Sequence, residues 1–212
     1  ILRLLGGGGV TSVRAVTGGW DAQRPTEGAY SAFLTFENGT VANAVYSGYA
    51  HFDSDELMGW RGELGATKDP DAYWTARENL ETLTRNMAEK DAKAARNYGG
   101  PLFNAPDLDA AAARGHQHFG SLTVSCENAD IRPFPNRIMV YGDQERSQID
   151  LPDPTVPRAE VIDELIGVIL EGRDPLHSGA WATATLEVCL AILESAATGE
   201  EVQMSHQCGL PD

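Results

Sequence analysis

The side chains best suited to chemistry fall in three short stretches. His116-Gln117-His118 sets two imidazoles two residues apart, which in an extended chain puts both on one face, with Cys126 or Asp130 as further metal ligands. No third ligand stands at a diagnostic spacing, and His51-Phe52-Asp53 has the same shortfall. Asp130-Ile131-Arg132-Pro133 holds a guanidinium between a carboxylate and two prolines, where it either forks onto a ligand carboxylate or closes an internal ion pair. Arg96-Asn97-Tyr98-Gly99-Gly100 either presents Arg96 and Tyr98 to a ligand or caps a helix. There is no Gly-x-Ser-x-Gly elbow, and no cysteine stands in a nucleophile context.

Gly6-Gly7-Gly8-Gly9 invites comparison with a phosphate cradle, but a P-loop needs a following Lys and Ser or Thr, and a dinucleotide turn must open a helix. Here the residues from Val10 to Thr17 alternate as a strand. The glycines are expected to stop a helix that ends at Leu5 and begins upstream of Ile1, so the chain reads as part of a longer protein.

The totals narrow the partners. Sixteen basic residues against 31 acidic give a net charge of -15 at pH 7, which argues against nucleic acid and anionic membrane surfaces. The basic cluster Lys90, Lys93 and Arg96 is interleaved with Glu89 and Asp91, as on a solvated helix face. Three cysteines without a CxxC spacing indicate neither a disulfide framework nor a zinc knuckle, and a cytoplasmic location is expected. No stretch is read as a membrane span of about 20 apolar residues.

Several elements must position these residues. Tyr30, Ala32, Leu34 and Phe36 alternate into Asn38-Gly39, which predicts a hairpin with a two-residue type I′ turn. That turn would place Phe36 opposite Val41, Leu34 opposite Asn43 and Ala32 opposite Val45. A long polar helix is predicted from Asp69-Pro70 to about Tyr98, with Tyr73, Ala76, Leu80, Leu83 and Met87 as its apolar stripe. Strands are predicted over 121–127, 137–141, 146–151 and 201–204. Two late helices follow, with Val161, Ile162, Leu165, Ile166 and Ile169 on one face of the first, and Trp181, Thr185, Val188, Cys189, Ile192 and Ala196 on one face of the second. Strands early, helices late and no repeated βαβ unit predict an α+β fold: an open, mainly antiparallel sheet with helices on one face. Residues 1–212 are read as one domain with a helical excursion over about 52–115.

The stretch from His177 to Gly199, the opening from Ile1 to Arg14 and the hairpin Phe36-Glu37-Asn38-Gly39-Thr40-Val41-Ala42 resemble the C-terminal domain of the Gfo/Idh/MocA nicotinamide-dependent oxidoreductases. Lys93 to Gly100, His116 to Gly120, Ser125 to Glu127, Asp130 to Pro133 and Pro157 to Leu165 are most similar to the dihydrodiol dehydrogenases of phthalate degradation, which oxidise a dihydroxy-dihydrophthalate to 4,5-dihydroxyphthalate. The resemblance implies a substrate-binding and oligomerisation domain whose sheet carries part of the substrate site on one side and a subunit contact on the other. It also implies a Rossmann domain, a Glu-Lys-Pro motif and catalytic residues upstream of Ile1. NAD or NADP would serve the intact enzyme, with none expected in this piece, and no metal is implied. On that reading Arg96 and Arg132 meet substrate carboxylates, while Tyr98, His116 and His118 meet hydroxyls. Two alternatives stand beside it: a stand-alone dimerisation or binding module without catalysis, and a metal-dependent hydrolase built on His116 and His118.

Overall fold

Leu2–Leu5 form one helical turn, α1, which ends on Gly6 in right-handed geometry. Gly7 follows at φ +92, and the Gly8 N–H returns to the Arg3 carbonyl at 2.6 Å, the six-to-one bond of a Schellman stop. The glycines therefore end a helix, as their order predicts, and β1 (Val10–Gly18) leaves them directly.

This computed structural model describes residues 1–21, 28–49, 51–72, 74–86, 88–104, 115–154 and 159–210. It forms two units, Ile1–Tyr49 with Glu160–Asp212, and Ala50–Ala159. The strands accordingly divide between two four-stranded antiparallel sheets, one in each unit, within the α+β class.

In the first unit β1 pairs with β2 (Ala29–Phe36), β2 with β3 (Val41–Ser47), and β1 on its other side with β8 (Val202–Gln203). The hairpin is present, but its register differs by one residue from the predicted one. Thr35 pairs with Val41, Leu34 with Ala42 and Ala32 with Ala44. The cause is the turn. Gly39 donates to the Phe36 carbonyl at 3.0 Å and alone has positive φ, at +84, so three residues make the loop rather than two. Asn38 fixes that choice, because its amide donates to the Gly6 carbonyl at 3.1 Å while its oxygen accepts from the Thr40 N–H at 3.0 Å.

The shift moves Val41 and Val45 off the core face. That face carries Ala32, Leu34 and Phe36 of β2 with Val13 and Ala15 of β1, and Ala42 and Ala44 pack against them. Val16, Phe33, Val41 and Val45 face outward and are exposed.

Helix α5 (Gly179–Thr198) starts on the Ser178 cap and covers β1 with Ala184, Val188, Ala191 and Ser195. This face is rotated from the predicted one, for Thr185 and Cys189 are exposed. Ser195 is fully buried because β8 reaches only Ser12 and Val13 of β1. Beyond that point the Ala15 N–H donates to Ser195 Oγ at 2.9 Å instead of to a strand partner, and the Ser195 hydroxyl in turn donates to the Glu200 carbonyl. By length and composition α5 could cross a membrane, contrary to the expectation that no stretch would. One face of it packs on β1, while Leu186, Leu190 and Leu193 are exposed. Helix α4 (Ala159–Glu171) contains the predicted apolar stripe, but Val161, Ile162, Leu165, Ile166 and Ile169 are all exposed. Periodicity marks a face that favours cover, and among the described residues nothing covers it.

Two polar clasps close the unit. Arg3, only 5% exposed, donates to the Gly8, Trp181 and Cys208 carbonyls and to Thr185 Oγ1, and its guanidinium lies 3.9 Å from the Trp181 ring centre. Glu187 of α5 accepts from the Ser205 and His206 N–H groups and from the Gln207 amide. Partial burial opposes its ionisation, but the Gln207 amide, the Ser205 and His206 N–H groups and the His206 ring outweigh it and bring the carboxyl to about 2. A folded-state pKa below the unfolded value stabilises above about pH 4.5 and ceases to do so as pH falls towards 2. Allowing for solvent screening, Glu187→Gln should cost about 1–2 kcal/mol at pH 7 and much less at pH 3, read by urea unfolding at both pH values. An equal cost at the two would show that charge plays no part.

In the second unit β4 (Val124–Ser125), β5 (Ala129–Phe134), β6 (Arg137–Gly142) and β7 (Arg146–Asp150) lie in sequence order. The predicted long helix is instead three pieces: a 3₁₀ turn at Pro70–Ala72, α2 (Thr75–Asn86) and α3 (Glu89–Arg96). Ala88 is extended, at ψ 142, which separates α3 from what precedes it. Tyr73 and Met87, and the side chains of Ala76, Leu80 and Leu83, lie outside the described residues.

Candidate functional site

A polar cluster of the second unit is built by the turn that follows β3. Asp53 accepts from the Asp55 N–H at 3.1 Å and so caps the 3₁₀ segment Ser54–Met58. Gly59 and then Trp60 adopt left-handed backbone; Trp60, at φ 58, is the only such non-glycine among the described residues. That conformation costs about 1–2 kcal/mol. It is held by the Trp60 N–H on the Asp55 carbonyl and by the Lys68 N–H on the Trp60 carbonyl, both 2.8 Å. The chain is thereby turned back so that Lys68 Nζ meets both Asp53 and, at 3.0 Å, Asp55 Oδ2. Burial raises the Asp53 carboxyl, yet the Lys68 and Asp55 bonds and the lysine charge prevail and lower it, while Lys68 is raised by the two aspartates against its own desolvation. A cavity of about 470 Å³ opens beside this pair, lined by His51, Phe52, Asp53, Glu56, Trp60 and Pro70.

The two histidines lie on an extended segment outside any strand ladder. Gly115 donates to the Gly65 carbonyl and His118 to the Glu63 carbonyl, which seats the segment on the turn after Trp60. His118 is buried, its Nε2 donating to the Arg61 carbonyl at 2.8 Å and its Nδ1 accepting from the Gly120 N–H at 3.0 Å. Both nitrogens are engaged, in the neutral Nε2–H form, and Asp55 Oδ1 is 3.9 Å from Nε2. His116 differs. Its Nε2 donates to the Pro152 carbonyl at 2.7 Å, which leaves Nδ1 as an acceptor with no partner among the described residues. The imidazoles thus serve different carbonyls rather than converging.

The His116 N–H donates to the Pro135 carbonyl, so the segment also touches the β5–β6 turn. Arg132 stands on β5, and the alternative of an ion pair with Asp130 is not realised: its guanidinium lies over the Phe134 ring, 5.1 Å from the centre. Pro133 is accommodated because β4 reaches only Ile131 and Asp130. Arg96 ends α3 and is exposed, and Tyr98, 91% exposed, meets Phe103 edge to face at 5.4 Å. Among the described residues no hydrogen bond or ring contact joins Arg96 or Tyr98 to the histidines or Arg132.

Arg132 over the Phe134 ring and the His116 Nδ1 acceptor are each able to meet a polar group of a ring compound, while Arg96 and Tyr98 stand exposed. The Gly6 and Gly8 N–H groups serve helix carbonyls and a strand follows them, so these glycines do not form a dinucleotide turn. Lys68, Asp53, Asp55 and Trp60 were not singled out together by sequence, since no fixed spacing links a lysine to aspartates 13 and 15 residues earlier. Gly59-Trp60 before Arg61-Gly62 was the available signal of a tight reversal.

No family model matches the chain. It is 44% identical over 194 residues, 92% of its length, to the 1-carboxy-3-chloro-3,4-dihydroxycyclohexa-1,5-diene dehydrogenase of Comamonas testosteroni. A solved structure assigned as a dehydrogenase, from Bordetella bronchiseptica RB50, superimposes with a TM-score of 0.76 at 39% identity over 93% of the chain. An oxidoreductase from Agrobacterium radiobacter, solved with NAD+, L-tartaric acid and magnesium, shares the fold at a TM-score of 0.55, with 16% identity over 95% of the chain. The chain spans 48%, 50% and 45% of these three proteins respectively. By sequence and by fold, the chain belongs to the Gfo/Idh/MocA oxidoreductases, and it carries that family's α+β domain.

Proposed function

We propose that this chain is the substrate-binding and oligomerisation part of an NAD(P)-dependent dehydrogenase that oxidises a ring-carboxylated cyclic dihydrodiol, with a dihydroxy-dihydrophthalate as the favoured substrate. The observation that carries the reading is the 44% identity, along 92% of the chain, to a dehydrogenase of a carboxylated dihydroxycyclohexadiene. Oxidation of one ring carbinol gives a ketone that enolises to a catechol, so the gain of aromaticity drives the reaction. The nicotinamide would be held by a Rossmann domain outside these residues, and this chain's part is orientation. Arg132 and Arg96 would take carboxylates, and His116 Nδ1, without a partner among the described residues, would accept a diol hydroxyl. Tyr98 would add a second hydroxyl contact. His118, with both nitrogens engaged, would act by holding the segment that carries His116.

Two chains would meet through the outward face of the first sheet, where Val16, Phe33, Val41 and Val45 are exposed. The free cysteines fit the cytoplasm as its compartment. The longer protein that contains this chain, given NAD+ or NADP+ and the dihydrodiol of phthalate, should form reduced nicotinamide and the catechol in equal amounts. Absence of turnover with that diol and with its monocarboxylic analogues would reject the reading. The chain alone should not bind NADH saturably, and saturable binding would put the nucleotide site inside these residues.

A further inference from the structure

We infer that Arg137 joins Arg132 in a two-guanidinium seat for a ring carboxylate, floored by Phe134; the identity of the ligand rests on the dihydrodiol reading above. The register places the parts. Arg132 and Phe134 alternate on β5, so they share a face, and β6 sets Arg137 directly opposite Phe134 and Met139 opposite Arg132. The guanidinium carbons lie 5.1 Å and 4.7 Å from the centre of the same Phe134 ring, within cation–π range of about 6 Å. Two cations are thus drawn to one ring although they repel one another.

Among the described residues, neither charge is neutralised. Asp150 is the cross-strand neighbour of Arg137, yet its Oδ1 accepts from Gln148 Nε2 at 2.6 Å. Asp130 shares the face with Arg132 but forms no ion pair with it, and among the described residues Arg137 bonds the neutral Asn136 Oδ1, at 3.1 Å. Among the described residues neither guanidinium is within ion-pair distance of a carboxylate, in a chain with 31 acidic and 16 basic residues. A planar carboxylate placed between them would satisfy both forks and relieve the repulsion, and Phe134 would offer an apolar surface to the attached ring. Diagonal neighbours across a strand pair stand about 7–8 Å apart, which leaves room for one carboxylate bridging both arginines or for two adjacent carboxylates taking one each.

Phthalate is the probe, because it carries adjacent ring carboxylates and needs neither nicotinamide nor turnover. Titrated into the 212-residue chain and followed by calorimetry, phthalate should bind saturably and dimethyl phthalate, which is uncharged, should not. Arg137→Gln and Arg132→Gln should each weaken phthalate binding at least tenfold, with Arg137→Lys recovering part of the loss. Arg146→Gln, on the same face opposite Tyr141, should leave it unchanged. In the longer enzyme Arg137→Gln should raise KM for the carboxylated diol while kcat and the KM for a diol lacking carboxylate hold. No saturable phthalate binding, binding unaffected by Arg137→Gln, or an equal loss in Arg146→Gln would overturn the seat. Phthalate binding that depends on Arg137 in a protein that oxidises no dihydrodiol would uphold the seat and reject the dehydrogenase reading.

Discussion

Arg3→Met should lower the stability of the first unit by about 3 kcal/mol, a fall of roughly 6–12 °C in Tm for a chain of this size. The side chain is nearly completely buried with no carboxylate partner among the described residues, and its charge is spread over the Gly8, Trp181 and Cys208 carbonyls and Thr185 Oγ1. Methionine fills a similar volume but donates nothing. The Trp181 carbonyl keeps the Thr185 hydroxyl as a donor, whereas the Gly8 and Cys208 carbonyls lose the Arg3 guanidinium N–H groups. Hydrogen bonds to a charged group contribute about 1.5–3 kcal/mol each, and relief of the buried cation's desolvation offsets part of that. Arg3→Lys should recover only a portion, because one ammonium cannot span points that a planar fork reaches. A loss under about 1 kcal/mol in the methionine variant would mean that desolvation of the cation cancels its bonds.

That clasp also shows what the sequence could and could not convey. Arg3 was legible as part of a helix end, but its partners come from residues about 180 and 205 positions away, and no local pattern encodes them. The same holds for the hairpin. Asn38-Gly39 announced a turn, and the turn exists; its length was decided by the contact of Asn38 with Gly6, which lies on another element. One residue of slip follows, and with it the exchange of Val41 and Val45 from the core to the outer face. In the second unit, 129–134 was not among the predicted strands because of Pro133 and Pro135, although a proline is harmless on a strand where the neighbouring strand has ended. The class of fold survived these slips because it depends on the order of elements, not on register. At the site, His116, His118 and Arg132 were visible as residue types. Which imidazole keeps a free nitrogen depended on the Gly120 N–H and the Pro152 carbonyl, and so could be read only from coordinates.

The contact between Gly6 and Phe36 allows steric and conformational roles of glycine to be separated. Gly6 has φ -82 and ψ -2, ordinary right-handed values that alanine adopts freely, so on chain entropy alone Gly6→Ala should stabilise by about 0.4–1 kcal/mol. A Cβ there, however, would fall 2.5 Å from Cε1 and Cζ of Phe36, whose ring is buried in the core. Overpacking of this kind costs about 1–3 kcal/mol, so Gly6→Ala should destabilise. Phe36→Ala should cost about 3–5 kcal/mol through the cavity it leaves against Leu34 and Val10. In the double variant the added methyl meets empty space instead of a ring, so the total should fall short of the sum by at least about 1 kcal/mol, measured by urea unfolding of all four chains. Gly8→Ala provides the contrast. Its φ of +99 disfavours any side chain, and its Cβ would lie 2.8 Å from the Gly209 backbone, so its cost should be the same whether residue 36 is Phe or Ala. Strict additivity for the Gly6 pair would show that the ring swings aside without loss, and that the packing of the opening turn on β2 does not set the position of Phe36.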